Sequence, residues 1–94
     1  MNEWPFADPM NVATITIRQI IDDGQPILYV THDEDDGMWQ FLSGGPAAMA
    51  DAMVLGLSEI LRIDPSVGEL ADLPPGWIAE RSAVGEPWHR RAKF

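Results

Sequence analysis

An Asp-Gly pair between two alternating segments constrains the fold of this chain more than any other feature. The pair, Asp36-Gly37, separates ILYVTHD (27–33) from MWQFLS (38–43). Both segments are rich in the β-branched and aromatic residues that favour strands. Asp-Gly supplies the backbone conformation that a tight hairpin turn needs. The sequence therefore predicts a β-hairpin with Asp36-Gly37 at its tip.

The register of this hairpin depends on the length of its loop, and two even lengths fit. A two-residue loop at Asp36-Gly37 pairs Glu34 with Trp39, whereas a four-residue loop over 34–37 pairs His32 with Trp39. Because side chains alternate along a strand, both lengths place the same residues on each face. The expected core face carries Leu28, Val30, His32, Trp39 and Phe41, and the other face carries Tyr29, Thr31, Gln40 and Leu42.

Two further segments alternate in the manner of strands. ATITIRQII (13–21) predicts a strand whose pattern fails at RQII, which indicates a bulge or the strand's end. WIAERS (77–82) predicts a fourth strand, and it follows LPPGW (73–77), which has the residues of a type II turn. Trp77 and Arg81 would then share a face of this strand.

From Pro46 to Ile63 the apolar spacing changes to that of an amphipathic helix. Leu55 lies in the middle of the polar arc of this predicted helix. It is either a single exposed leucine or a contact with a partner or a second copy. Asp64 and Pro65 then have the residue types that cap and begin a new short helical turn.

These elements predict one α+β domain over residues 1–94. A small antiparallel sheet, made of a three-strand meander plus a C-terminal strand, would pack against one main α-helix. An irregular N-terminal arm (1–11) and a basic, loop-like C-terminal tail (83–94) would flank it. Trp4 and Phe6 would anchor the arm. Trp88 would either clamp the tail onto the body or contact a partner.

The charge of the chain is strongly acidic and unevenly spread. The net charge is −9, from 15 acidic and 6 basic residues, and three of the basic residues are Arg90, Arg91 and Lys93 near the C-terminus. Such a body repels nucleic acid and anionic lipid, and it attracts basic proteins. With no cysteine and no signal-peptide pattern at the N-terminus, the sequence is typical of a cytoplasmic protein.

The run HDEDDG (32–37) suggests a metal site at first, but its spacing argues against one. In an EF-hand loop with Gly37 at the sixth position, His32 would occupy the first position and Ser43 the twelfth, and neither fits. The sequence also offers no cysteine nucleophile, nucleophile elbow or nucleotide-binding glycine motif. We therefore expect no metal, no cofactor and no enzymatic activity.

HDEDDGMWQFLSGG, followed by DPSVGELADLPPGWIAER and a late tryptophan, resembles a bacterial family of small α+β domains. That family was first described only as a domain of unknown function and was later proposed to comprise immunity proteins of polymorphic toxin systems. The resemblance covers roughly residues 27–88. It implies a non-enzymatic protein that binds and neutralises a cognate toxin in the cytoplasm.

Two functional hypotheses follow. In the first, the chain is an immunity-type binding protein whose acidic surface meets a basic toxin domain. In the second, it is a structural or regulatory homo-oligomer, a homodimer for example, with no toxin partner. The residues that we expect at a partner-binding surface are Asp33, Glu34, Asp35, Asp36, Leu55 and Trp88. The alternative for Asp33, Glu34 and Asp35 is a solvated loop without a binding role.

Overall fold

The structure, a computed structural model, describes residues 4–45 and 48–93. Within these residues, six strands form one mixed sheet in the order β4-β1-β3-β2-β5-β6. The strands are β1 (Ala13–Ile17), β2 (Tyr29–His32), β3 (Trp39–Leu42), β4 (Ala52–Gly56), β5 (Trp77–Glu80) and β6 (His89–Ala92). The helices are α1 (Arg18–Asp22), α2 (Leu57–Ile63) and two 3₁₀ helices, Met49–Asp51 and Pro65–Leu70. The α+β class is confirmed, but the sheet is larger than predicted.

The predicted hairpin is β2–β3, and its loop has four residues rather than two. His32 lies opposite Trp39 and Val30 opposite Phe41. The Asp33 N–H donates to the Met38 carbonyl at 2.8 Å and closes the loop. Gly37 has a φ of 73°, a conformation that glycine adopts without a steric penalty.

The predicted three-strand meander is wrong, because β1 does not pair with β2. It lies on the far side of β3, parallel to it, and antiparallel to β4. The physical reason is visible at RQII, where the alternation ends. These residues lie in α1, so the chain leaves the sheet at Arg18. It returns as β2, which lies on the other side of β3 from β1.

The long helix predicted from Pro46 to Ile63 is also wrong in its first half. Pro46 lies outside the described residues, and 52–56 form the edge strand β4. An apolar run of this length is compatible with either period, and pairing with β1 satisfies the backbone groups on the inner side of β4, those of Met53 and Leu55. The helix is confined to α2. Leu55 is therefore a half-buried strand residue, not an exposed helical one.

One face of the sheet carries the core, and α2 and the 3₁₀ helix Pro65–Leu70 contribute side chains to it. Trp39 and Phe41 are buried there, as predicted, and Phe6 anchors the N-terminal arm in the same cluster. Trp77 was expected in the core but is 37% exposed, because it begins β5 beside the edge strand β6. The buried cluster comprises Phe6, Ile17, Ile20, Ile27, Val30, Trp39, Phe41, Leu57, Ile60, Val67, Leu70, Leu73 and Ala79.

The basic tail contains a strand where a loop was predicted. β6 pairs antiparallel with β5, although none of its residues is buried. Its pattern gave no strand signal because the sequence HRRA has no apolar alternation, and backbone pairing at the sheet edge decides the conformation. Arg91 forms an ion pair with Glu80, and Arg90 forms one with Asp72 at 2.7 Å.

Candidate functional site

The most charged feature of the described surface is the run of four carboxylates Asp33–Asp36 within the connection from β2 to β3, called the acidic loop below. Together with Gln40, Gly76 and Lys93, it lines an open cleft of about 230 Å³ at one end of the sheet. Four carboxylates in consecutive positions therefore lie at one place on the surface. They do not all have the same surroundings.

Asp33 belongs to the sheet rather than to the exposed loop. Its Oδ1 accepts a hydrogen bond from Thr31 Oγ1 at 3.2 Å, and its Oδ2 accepts one from Gln40 Nε2 at 2.8 Å. These partners lie on the face of the sheet opposite the core. The Asp33 carbonyl also accepts from the Gly37 N–H at 3.0 Å, so both its side chain and its backbone hold the loop in place.

The other three carboxylates are exposed. Asp36 Oδ1 accepts from the Met38 N–H at 3.0 Å, which shapes the return of the loop into β3. Glu34 lies over the turn at Gly76, so close that a Cβ atom at Gly76 would be 3.3 Å from Glu34 Oε2. Glu34, Asp35 and Asp36 thus present negative charge to solvent from a loop of defined shape.

A stacked pair fixes the base of the acidic loop to the core. The rings of His32 and Trp39 are nearly parallel, with 3.9 Å between their centroids. His32 Nδ1 lies 2.7 Å from the Leu73 carbonyl, and because a carbonyl only accepts, Nδ1 carries the proton. The Gly76 N–H donates to the His32 carbonyl at 2.7 Å. Sequence reasoning placed His32 beside Trp39, but the bond to Leu73 gave no sequence signal.

The structure does not bring Leu55 and Trp88 to the acidic loop. Leu55 lies on β4, three strands across the sheet from β2, and its carbonyl accepts from Thr14 Oγ1 at 2.8 Å. Trp88 packs against the core as a half-buried residue and covers Arg81, beyond the opposite end of β5. The six predicted contact residues therefore occupy three separate places.

Of the two alternatives for Trp88, the clamp on the tail is the one that agrees with its contact to the buried cation Arg81. The Arg81 side chain is 1% exposed and forms an ion pair with Asp64 at 2.6 Å. Its guanidinium also donates to Ser66 Oγ and to the Ile27 carbonyl, each at 2.9 Å. Burial alone would raise the pKa of Asp64, but the hydrogen bonds from Ser66 and the Arg81 guanidinium outweigh burial and hold that pKa below its ordinary value.

Asp64 caps the 3₁₀ helix that follows it, as its position before Pro65 predicted. Its Oδ1 accepts from the Ser66 N–H at 3.0 Å and from Ser66 Oγ at 2.6 Å. The partnership with Arg81 was missed from the sequence. One indication that Arg81 is buried does lie in the sequence: on the predicted strand it shares a face with Ala79, and Ala79 is buried in the structure.

Among residues 4–45 and 48–93, no three histidine or acidic side chains are arranged so that they could hold a metal ion. None of the helices in those ranges is long and apolar enough to cross a bilayer.

No family model, no curated protein and no solved structure matches this chain. The resemblance to immunity proteins therefore stays a prediction.

Proposed function

We propose that this chain is a non-enzymatic, cytoplasmic binding protein that uses its acidic loop to bind a basic surface of a partner protein. The toxin domain that an immunity protein would neutralise is the partner that the sequence resemblance implies. The observation that carries the proposal is the contrast within the loop. Asp33 is engaged by the sheet, whereas Glu34, Asp35 and Asp36 are exposed beside it.

The distribution of positive charge supports this proposal. Four ion pairs engage Arg18, Arg81, Arg90 and Arg91 with Asp51, Asp64, Asp72 and Glu80, and none of these four pairs includes a carboxylate of the acidic loop. Lys93 lines the same cleft as the loop, so this cation stands beside the four carboxylates. In a chain of net charge −9, the loop concentrates negative potential at one end of the sheet. Such a potential raises the rate at which a basic partner associates, and added salt lowers it.

The rigid base of the loop also supports binding rather than a merely solvated turn. The His32–Trp39 stack and the bonds of Asp33 fix the loop before any partner arrives. A fixed loop loses little conformational entropy on binding, so more of the contact energy remains as affinity.

The test is a calorimetric titration against the protein encoded beside its gene, at low and at moderate salt. The double variant Glu34→Lys/Asp35→Lys should weaken binding at low salt by about tenfold or more, mainly through slower association. The matched control is Asp22→Lys/Asp23→Lys, which makes the same change in net charge at exposed positions before β2, at the other end of that strand.

The proposal expects the control to bind nearly as well as the original chain. Equal weakening by both variants would show that only net charge matters and would remove the loop from the interface. No complex with the unmodified chain at either salt concentration would remove the partner itself.

A further inference from the structure

The two edges of the sheet are protected to different degrees. β6, at one edge, carries His89, Arg90 and Arg91, and charged side chains of this kind discourage pairing with another strand. β4, at the other edge, has the sequence AMVLG, with neither a charge nor a proline. The Val54 side chain in the middle of β4 is 66% exposed. β4 is therefore an edge without the usual protection against strand pairing.

The backbone groups that β4 leaves free follow from its register with β1. The Leu57 N–H donates to the Val12 carbonyl at 3.0 Å, and in an antiparallel pair the bonded positions alternate. Met53 and Leu55 therefore bond to β1, whereas Ala52, Val54 and Gly56 direct their backbone groups away from it.

Two of these outward groups are already used within the chain. The Ala52 N–H donates to the Met49 carbonyl. Gly56 is the N-cap residue of α2, and the carbonyl of such a residue accepts the first bond of its helix. Four groups remain along the edge: the Ala52 carbonyl, the Val54 N–H and carbonyl, and the Gly56 N–H.

We propose that β4 pairs antiparallel with β4 of a second copy, about a two-fold axis at Val54, to give a dimer with one continuous sheet. In this arrangement the Val54 N–H of each copy donates to the Val54 carbonyl of the other. Each Gly56 N–H donates to the Ala52 carbonyl of the other copy. The four free groups on each copy are then all bonded, and the two groups already used face each other. The four free backbone groups of one copy therefore match those of a second copy related by the two-fold axis. This match favours a second copy over an unrelated strand.

The side chains along β4 agree with this pairing. On the core face, Met53 of one copy lies opposite Leu55 of the other, and both are half-buried apolar residues in the single chain. On the other face, the two Val54 side chains become neighbours. Met49, which is 95% exposed, precedes β4, and the carbonyl of the exposed Met10 accepts from the Ser58 N–H just after β4. Antiparallel pairing brings Met49 of one copy toward the end of the strand where Met10 of the other copy lies.

Charge directs the two copies toward this edge. Two chains of net charge −9 repel each other over most approaches, but residues 52–58 carry no charge. Arg18 and Asp51 at one end of β4 neutralise each other in an ion pair at 3.2 Å. Salt screens the remaining repulsion, so this dimer should become tighter as salt is added. The acidic loop should show the opposite dependence, and this proposal does not rest on that loop.

The test is sedimentation equilibrium of the full chain from micromolar to millimolar concentration, at low and high salt. The unmodified chain should form a dimer that is tighter at high salt. Val54→Lys should weaken the dimer by about tenfold or more, because a lysine on an edge strand opposes pairing. Val84→Lys is the matched control, since Val84 is 62% exposed and lies outside the strands, and it should leave the dimer intact.

Val54→Pro removes the donor at the centre of the proposed pair while sparing β1, because the Val54 N–H points away from β1. It should therefore keep the fold and abolish the dimer. Amide exchange of the unmodified chain gives a measurement without variants: exchange at Val54 and Gly56 should slow as concentration rises. A monomer throughout the range, a dimer that Val54→Lys leaves unchanged, or exchange at Val54 independent of concentration would overturn the proposal.

Discussion

The ring of Trp88 covers the guanidinium of Arg81, with the Arg81 Cζ atom 4.1 Å from the ring centroid. The guanidinium bonds in turn to the Ile27 carbonyl, Ser66 and Asp64. One buried cation therefore joins the entrance of β2, the 3₁₀ helix Pro65–Leu70, the exit of β5 and the C-terminal tail. These segments are distant in sequence, so the Arg81 contacts stabilise the fold as a whole.

Replacing Arg81 should destabilise the fold strongly. Arg81→Met keeps the bulk but leaves Asp64 and the Ile27 carbonyl without their donor, and breaking a buried pair in this way costs about 3–5 kcal/mol. Arg91→Met is the control, because its ion pair with Glu80 is half-exposed and such pairs contribute about 0–1 kcal/mol. Urea unfolding of both variants measures the difference. Similar losses in the two would show that the burial of Arg81 has no energetic weight.

The Asp64 carboxylate should make stability depend on pH in acid. Its pKa in the folded chain lies below the ordinary value of 3.8, so the unfolded chain binds its proton first as pH falls. The contribution of ionised Asp64 is therefore complete above pH 3.8 and is lost as pH falls toward the folded pKa. Asp64→Asn should be less stable than the original chain at neutral pH, and the gap should narrow in acid. Urea unfolding of both proteins between neutral pH and about pH 3 tests this, and a gap that is constant with pH would contradict it.

The loop glycine Gly37 should resist substitution for a purely conformational reason. Its φ is 73°, and a Cβ atom there would meet nothing within 4 Å. Gly37→Ala should therefore cost about 1–2 kcal/mol of unfolding free energy from backbone strain alone. Gly45→Ala is the control, because that position is equally open and does not have a positive φ. Equal thermal stability of the two variants would show that the loop relaxes around the new side chain.

We expect the carboxylates of the acidic loop to differ in their contribution to stability, because Asp33 is bonded to the sheet and the others are exposed. Asp33→Ala removes the acceptor for Thr31 and Gln40 and should cost about 1–2 kcal/mol. Asp35→Ala, two positions further along the loop, should change stability by less than about 0.5 kcal/mol, because Asp35 is exposed. Unfolding free energies of both variants test the distinction. If Asp33→Ala left the unfolding free energy unchanged, Asp33 would contribute no more to stability than the other three carboxylates.

The β2–β3 hairpin could be predicted because its signals are local. Alternation fixed the faces of both strands, and Asp36-Gly37 marked the loop, so His32, Trp39 and Phe41 were placed correctly. The choice between loop lengths could not be made, since both give the same faces. The structure has the four-residue loop, in which the Asp33 side chain bonds to Thr31 and Gln40, and these bonds give no sequence signal because they depend on the three-dimensional arrangement.

β4 and β6 were missed for two different physical reasons. β4 is apolar throughout, so its residues fit a helical arc as well as a strand, and only pairing with β1 decides between them. β6 has three polar residues followed by Ala92, shows no apolar alternation, and depends on backbone bonds to β5. At the candidate site, the four consecutive carboxylates lie together, whereas Leu55 lies on β4, which was predicted as helix, and Trp88 covers Arg81 beyond the other end of β5.

The placement of β1 between β3 and β4 has a consequence for how the chain folds. The β2–β3 and β5–β6 hairpins close over short stretches of chain, whereas β1 meets β3 in parallel and meets β4 about forty residues away. Loops of that length are slow to close compared with a hairpin. We expect the hairpins to form early and the N-terminal strand to enter last, with Thr16 Oγ1 then donating to the Phe41 carbonyl at 2.8 Å. Until that step, β3 and β4 would both present open edges, so the interval before β1 docks is when this chain is most exposed to aggregation.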